Sequence, residues 1–294
     1  MPPLPARQQP STTQRAHPRL HVIFARKANV AVVLRRGPSK WVELIHWDRA
    51  TDRFTRGSWF HGRIYERRCD LSPHGDLFVY FAQKLGGRQD ATYTYAWTAV
   101  SKPPWLTALA LWPKGNCWDG GGLFSSDYDI WVNHSIDGAL PHPDHPPIGL
   151  RVTSDDRGRG EDFPIYGFKL ERDGWIAVSR LRTQLRGSRQ GFHTLQAGVW
   201  ERPWKSGRWK LVMRLSLAGY RQRYDYEVAG PGWVESLRGA EWADRDGDRG
   251  LTYAAKGTIY RTTPTRAGLE ASSEIANFIA DAPKPRRPPN WATR

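Results

Sequence analysis

The stretch HSIDGALPHPDHPP, residues 134–147, gathers His134, His142, Asp144 and His145, whose side chains have metal-binding chemistry. Imidazole and carboxylate suit zinc or another divalent cation, and two histidines three positions apart can converge in a loop. Pro141, Pro143, Pro146 and Pro147 instead favour an extended excursion, and no HExxH helix is present to array the ligands. The expectation is a solvated Pro/His loop, with a metal-dependent hydrolase as the third functional alternative. WPKGNCWDGGGLF, residues 112–124, is rich in glycine, but Lys114 precedes the first glycine and none follows the last, so it is not a phosphate-binding P-loop. Its glycines suit a close backbone approach before a strand. Cys117 becomes a nucleophile only with a base beside it. DRDGDRG, residues 244–250, alternates Asp244, Asp246 and Asp248 like a calcium loop, but its glycine is misplaced and no Glu follows; it reads as a hairpin corner. SDDRGRGED, residues 154–162, is a charged loop. The nucleophile elbow, the dinucleotide fingerprint and the kinase set are all missing, so catalysis is the less favoured class and no cofactor is expected.

Binding chemistry is better represented. Arg172, Trp175, Arg180, Arg182, Arg186 and Arg189 interleave cations with apolar and aromatic residues, followed by Phe192. Guanidinium groups grip phosphates bidentately and indoles stack on bases, so this set is the candidate nucleic-acid surface. Alternation along a strand would equally make the arginines a wet face. Fifteen tryptophans are available as anchors for a protein partner, and Trp105, Trp112, Trp118, Trp131 and Trp204 are the candidates.

The elements that must carry these residues read as strands. WVELIHW, LFVYFAQ, TYTYAWTAV, WLTALALW, DIWVNH, YGFKLERDGWIAVSRL, RWKLVMRLSL, RYDYEV and LTYAAKGTIYRT are β-branched, aromatic or alternating runs separated by turn signals. The best helical pattern is GLEASSEIANFIA, residues 268–280, with apolar residues three and four apart. Corners at Gly75, Asp127, Gly174, Gly207 and Gly247 precede apolar runs at spacings of 52, 47, 33 and 40, which bracket the length of a four-stranded unit. DLSPHGDLFVYFA (residues 70–82) and EWADRDGDRGLTYAAKGTIYR (residues 241–261) resemble blade segments of WD-repeat and Tol-type β-propellers, in which a polar hairpin precedes an apolar strand. His74 stands where Asp is usual, and no Trp-Asp signature repeats. The resemblance implies an all-β, β-propeller-like fold of about five or six four-stranded blades, some degenerate. Paired β-sandwich domains are the alternative.

A chain of 294 residues buries a sizeable core without staples, and two cysteines cannot build a disulfide framework. The formal charge is +15, from 44 basic and 29 acidic side chains. No acid precedes Glu43, while Arg26 and Lys27 interrupt the most apolar early run and exclude a membrane span or signal core there. Such a charge favours anionic partners. The organisation expected is a disordered basic arm over 1–18, a propeller-like domain over 19–267, and a short helix with a Pro/Arg-rich tail over 268–294. The function expected is a cytoplasmic, noncatalytic protein-binding scaffold or adaptor, with nucleic-acid binding as the first alternative.

Overall fold

Strand-forming runs pair with their sequence neighbours, so each sheet is cut from one contiguous length of chain. The structure is a computed structural model and describes residues 17–37, 40–86, 92–135, 138–184, 193–218 and 221–294. The first sheet is a meander of β1 (Arg19–Phe24), β2 (Val30–Arg36), β3 (Trp41–Asp48) and β4 (Arg53–His61). The second holds β5 (Arg63–Ile64), β6 (Asp70–Leu71), β7 (Phe78–Gln83), β8 (Ala96–Ser101) and β9 (Ala110–Pro113), with β5 and β6 both paired to β7. The third is β10 (Gly122–Phe124), β11 (Asp129–Val132) and β12 (Arg151–Ser154), the last parallel to β11. An α-helix, α1 (Ile165–Arg172), leads into the fourth sheet. That sheet runs β13 (Ile176–Gln184), β14 (His193–Pro203), β15 (Lys210–Ala218), β16 (Arg221–Gly230) and β17 (Trp233–Ser236). The fifth is β18 (Ala240–Arg245), β19 (Leu251–Ala255), β20 (Thr258–Thr262) and β21 (Ser273–Asn277). The fold is thus all-β in class, with five sheets of three to five strands among the described residues, none of them closed on itself there.

Side-chain alternation explains how the sheets stack. In β2, Val32 and Leu34 enter a core with Phe78, Tyr80 and Ala82 of the second sheet. Ala31 and Val33, on the opposite face, enter a core with Trp242, Ala254 and Ile259 of the fifth. A strand with both faces buried needs a continuous apolar run, which VAVVL supplies. The second sheet repeats the device, sending Val79, Val100 and Trp112 to meet Phe124, Ile130 and Val132 of the third. The fifth sheet sends Ala240, Ala243 and Leu251 against Trp200, Met213 and Tyr226 of the fourth. Between the third and fourth sheets the contact is made by α1, whose Phe168 ring lies 6.2 Å from Trp131. The fourth sheet departs from this scheme: Trp200, Met213 and Tyr226 share its buried face, while Ile176, Val178 and Val234 are exposed.

Two elements differ from the sequence reading. YGFKLER lies in α1 rather than in a strand, because Ile165, Tyr166, Lys169 and Leu170 bury one helical face; Gly174, at φ +87°, then turns the chain, and Trp175 N–H donates back to Leu170 O at 2.9 Å. Residues 268–280, expected as a helix, instead contain β21, which pairs along β20 while Ile275 and Ala276 pack against the shared core of the first and fifth sheets. A short segment gains little from isolated helix formation, so an available strand edge decides its conformation. The fifth sheet accordingly runs past residue 267, the boundary expected for the propeller-like domain. Phe278 is buried after it, and the tail continues to Ala292, also buried. Residues 1–16 of the expected basic arm lie outside the described residues.

The corner at residues 72–76 is a hairpin between β6 and β7, with Gly75 at φ +92°. His74 faces across to Asp127, its Nδ1 2.5 Å from Oδ2 and its backbone N–H donating to Oδ1 at 2.9 Å. Cys69 is fully buried, and burial pushes its thiol up to about 12. Cys69 and Cys117 are both free thiols.

Candidate functional site

The turn between β1 and β2 carries Arg26 and Lys27 out of an otherwise apolar run. Arg26 is half-buried and Lys27 is exposed. These residues, α1, and the ends of β14 and β18 surround a cavity of about 640 Å³. Seven cationic side chains line it (Lys27 among them), against two carboxylates, Asp173 and Asp244. The other six are Arg26, Arg49, Lys169, Arg172, Arg202 and Arg245.

Several of these cations are fixed from behind. Arg49 is buried in an ion pair with Asp246 and lies 3.9 Å over the Phe24 ring. Asp246 is also shared by Arg249 and Arg261. Those pairings, with Gly247 at φ +59° and Gly250 at φ +95°, make residues 244–250 a cross-linked corner rather than a calcium loop. Arg172 grips Asp70 in a fork, at 2.5 and 2.9 Å, and reaches Asp173 at 2.8 Å. Lys169 Nζ donates to Cys69 O at 2.8 Å and lies 3.6 Å from Asp70. Burial opposes the charge on Asp70, but Arg172 and Lys169 outweigh it and hold its carboxyl below the usual range.

The remaining cations are less fully matched. Arg26 Nη2 donates to Phe124 O at 2.8 Å, whereas its Nη1 is buried with no acceptor. Arg202 pairs with Asp244, and its Nε has no acceptor. Arg245 extends over Trp204 at 5.8 Å, and its Nε likewise has none. Burial first, and a neighbouring guanidinium second, pull Arg26 and Arg245 below the ordinary arginine value; the neighbours are Arg172 and Arg202 respectively. Arginine does not give up its proton in this range, so the shift expresses how poorly the site accommodates its positive charge.

A second cavity, of about 310 Å³, has Arg19, Glu66, Arg67 and Glu241 in its lining. His21 lines both cavities. It is buried, and desolvation together with Arg67 and Lys169 holds it well below the ordinary imidazole value. Arg67 stacks 3.7 Å over Tyr224 and 5.7 Å over Tyr166, which join the two linings.

Of the interleaved Arg/aromatic set, Arg172 and Trp175 reach the larger cavity, Trp175 as a buried wall. Arg180 is exposed and paired with Glu171. The side chain of Arg182, and Arg186 and Arg189 altogether, lie outside the described residues. The five tryptophans separate by burial: Trp105, Trp112 and Trp131 are core side chains, closed to a partner by the chain's own packing, while Trp204 is half-buried and Trp118 is 45% exposed. In the His-rich stretch, His134 is buried with Nε2 2.9 Å from Thr98 Oγ1 and Nδ1 3.1 Å from Gly138 O, and burial lowers it to about 4. His142 stacks on Tyr93 at 4.1 Å and accepts the Asp144 N–H at 3.1 Å, while His145 Nε2 lies 3.3 Å from Tyr93 Oη. Among the described residues no three His, Cys, Asp or Glu side chains are grouped to hold a metal ion.

The cavity residues that sequence reasoning missed, Arg49, Lys169, Arg202 and Arg245, come from separate sheets and a helix and share no spacing. Arg26 and Lys27 did leave a signal, as two cations breaking the most apolar early run. Comparison with protein-family models and with curated proteins found no match. Among the described residues no helix is long and apolar enough to cross a membrane.

Proposed function

We propose that this chain is a noncatalytic binding protein, built as a five-bladed propeller-like ring, that takes an anionic ligand in the cation-lined cavity. The ring reading is supported by the order of the shared cores, in which the fifth sheet returns to pack on the first and α1 bridges the third and fourth. The single observation that carries the function is the set of seven cations against two carboxylates around one cavity of about 640 Å³. Cations gathered in a partly desolvated concavity repel one another, and an anion relieves that cost. The two carboxylates do not make an acid/base pair, because Asp173 and Asp244 are each already engaged by arginine.

The test is thermal unfolding at constant ionic strength in chloride, sulfate, phosphate and citrate. The multivalent anions are expected to raise the melting temperature, since a ligand that binds only the folded state stabilises it. The double variant R26Q/R245Q is expected to lose that response. An equal response in the double variant, or none in the wild type, would overturn the reading. Binding of RNA or DNA with no response to small anions would favour the nucleic-acid alternative instead, and its affinity should then fall steeply with salt.

A second reading, the protein-binding scaffold, is favoured by the outer face of the fourth sheet, where Ile176 and Val178 are each 58% exposed and Val234 is 63% exposed. Exposed apolar side chains on edge strands are docking or aggregation surfaces. I176D/V178D should then abolish co-purification of a stoichiometric partner while leaving the anion response intact. Retention of the partner by the variant removes this reading.

A further inference from the structure

The guanidinium groups around the larger cavity fall into two sets. Arg26 and Arg172 meet at one backbone carbonyl, Phe124 O, which accepts from Arg26 Nη2 at 2.8 Å and from Arg172 Nη1 at 3.1 Å. Every nitrogen of Arg172 is occupied, by Asp70, Asp173 and that carbonyl. Arg26 has no such carboxylate among the described residues, and its Nη1 lacks an acceptor. The donor capacity of this set therefore belongs to Arg26.

Arg202 and Arg245 meet at a carboxylate, Asp244. Arg202 reaches it through Nη1, and Arg245 only through its backbone N–H, at 2.7 Å. The Arg245 guanidinium makes no hydrogen bond among the described residues, and the Nε atoms of both arginines lack acceptors. Asp244 thus pairs with the Arg202 guanidinium, and the Arg245 guanidinium has no carboxylate partner among the described residues. The sets rest on different supports: Arg26 on the β1–β2 turn against the third sheet, Arg202 and Arg245 on the ends of β14 and β18.

Resting on the anion reading above, we infer that the ligand is a small bis-anion, with one phosphate, sulfonate or carboxylate group taken by Arg26 and a second by Arg202 and Arg245. A single anion would neutralise one set and leave the other in excess. Joining two anions makes the second contact intramolecular, at a high effective concentration.

Titration calorimetry at fixed ionic strength tests this with methyl phosphate as the one-group probe, against methylenebisphosphonate and propane-1,3-bisphosphonate. Malonate and glutarate serve as the carboxylate counterparts. At least one bisphosphonate or dicarboxylate is expected to bind about 30-fold or more tightly than the one-group probe. R26Q and R245Q should each reduce that affinity to the level of methyl phosphate, while leaving methyl phosphate itself within about threefold of wild type, because either set alone still holds one anion. R26K and R245K keep the charge and should retain most of the affinity; where a variant loses the native near-UV circular dichroism, the ratio of bis-anion to methyl phosphate affinity in the wild type decides instead. If methyl phosphate and the bis-anions bind equally, the two-group inference falls and the anion reading stands. If no probe binds, both fall.

Discussion

Gly121 sits at φ +83°, and a Cβ built on it would lie 2.0 Å from Arg68 O and 2.7 Å from Arg68 Cβ. The reason is the Arg68 side chain, which is buried and donates from Nη1 to the carbonyls of Cys117, Trp118 and Asp119 at 2.8, 3.0 and 2.9 Å. The glycine-rich loop therefore wraps a single guanidinium head, and its backbone must come close to the arginine's own backbone. Gly121→Ala is expected to destabilise the fold by about 3 kcal/mol or more, through strain and clash together. Gly207→Ala, at φ +66° with open space around it, should cost only about 1 kcal/mol. Urea titration of the two variants checks the contrast, and equal losses would remove the clash as the cause. At this scale the sequence was informative: a run of three glycines announces close backbone approach, although nothing in the spacing identified Arg68 as the residue approached.

Among the elements, β1 and β18 meet through Glu241, whose Oε1 accepts the Leu20 N–H at 3.1 Å. Burial raises the carboxyl of Glu241 to about 7, partly offset by that hydrogen bond and by Arg19. A carboxyl whose pKa is raised on folding binds its proton more tightly in the native state, so it favours folding below its unfolded value and this contribution is lost as pH rises through about 7. Glu241→Gln keeps an acceptor for Leu20 but does not titrate. Between pH 5 and 8.5 the wild type should therefore lose stability relative to E241Q, by roughly 1–3 kcal/mol, as read from denaturant midpoints at the two pH values. A difference that does not change with pH would show that Glu241 titrates normally. Element type was legible where alternation was strong, as in RWKLVMRLSL, which forms β15. It was not legible at YGFKLER, whose aromatic and apolar residues suit a strand and a buried helix face alike, nor at β21, where pairing with β20 overrode a helical spacing.

For the molecule as a whole, the contact between the first and last sheets holds the ends of the described fold together. Phe278 closes it: its ring meets Phe54 edge-on at 5.5 Å, Arg56 lies 4.8 Å over it, and its carbonyl accepts from Arg35 Nε at 2.9 Å. Asp281, three residues on, pairs with Arg56. Phe278→Ala should cost about 3–5 kcal/mol. Hydrogen exchange should accelerate first in β1, β18 and β19, ahead of β14 and β15, because the seam opens before the fourth sheet does. Uniform acceleration across the five sheets would argue against a seam that opens on its own. What the amino-acid order determined by itself was the all-β class, the hairpin corners at Gly75, Asp127, Gly207 and Gly247 (the one at Gly174 ends α1 instead) and an excess of positive charge, because strand alternation, turn chemistry and composition are local properties. What only the tertiary structure decided was which tryptophans are core, where β21 pairs, and that Arg26, Arg172, Arg202 and Arg245 surround one cavity, because those contacts join sheets whose residues lie as many as 219 positions apart in the chain.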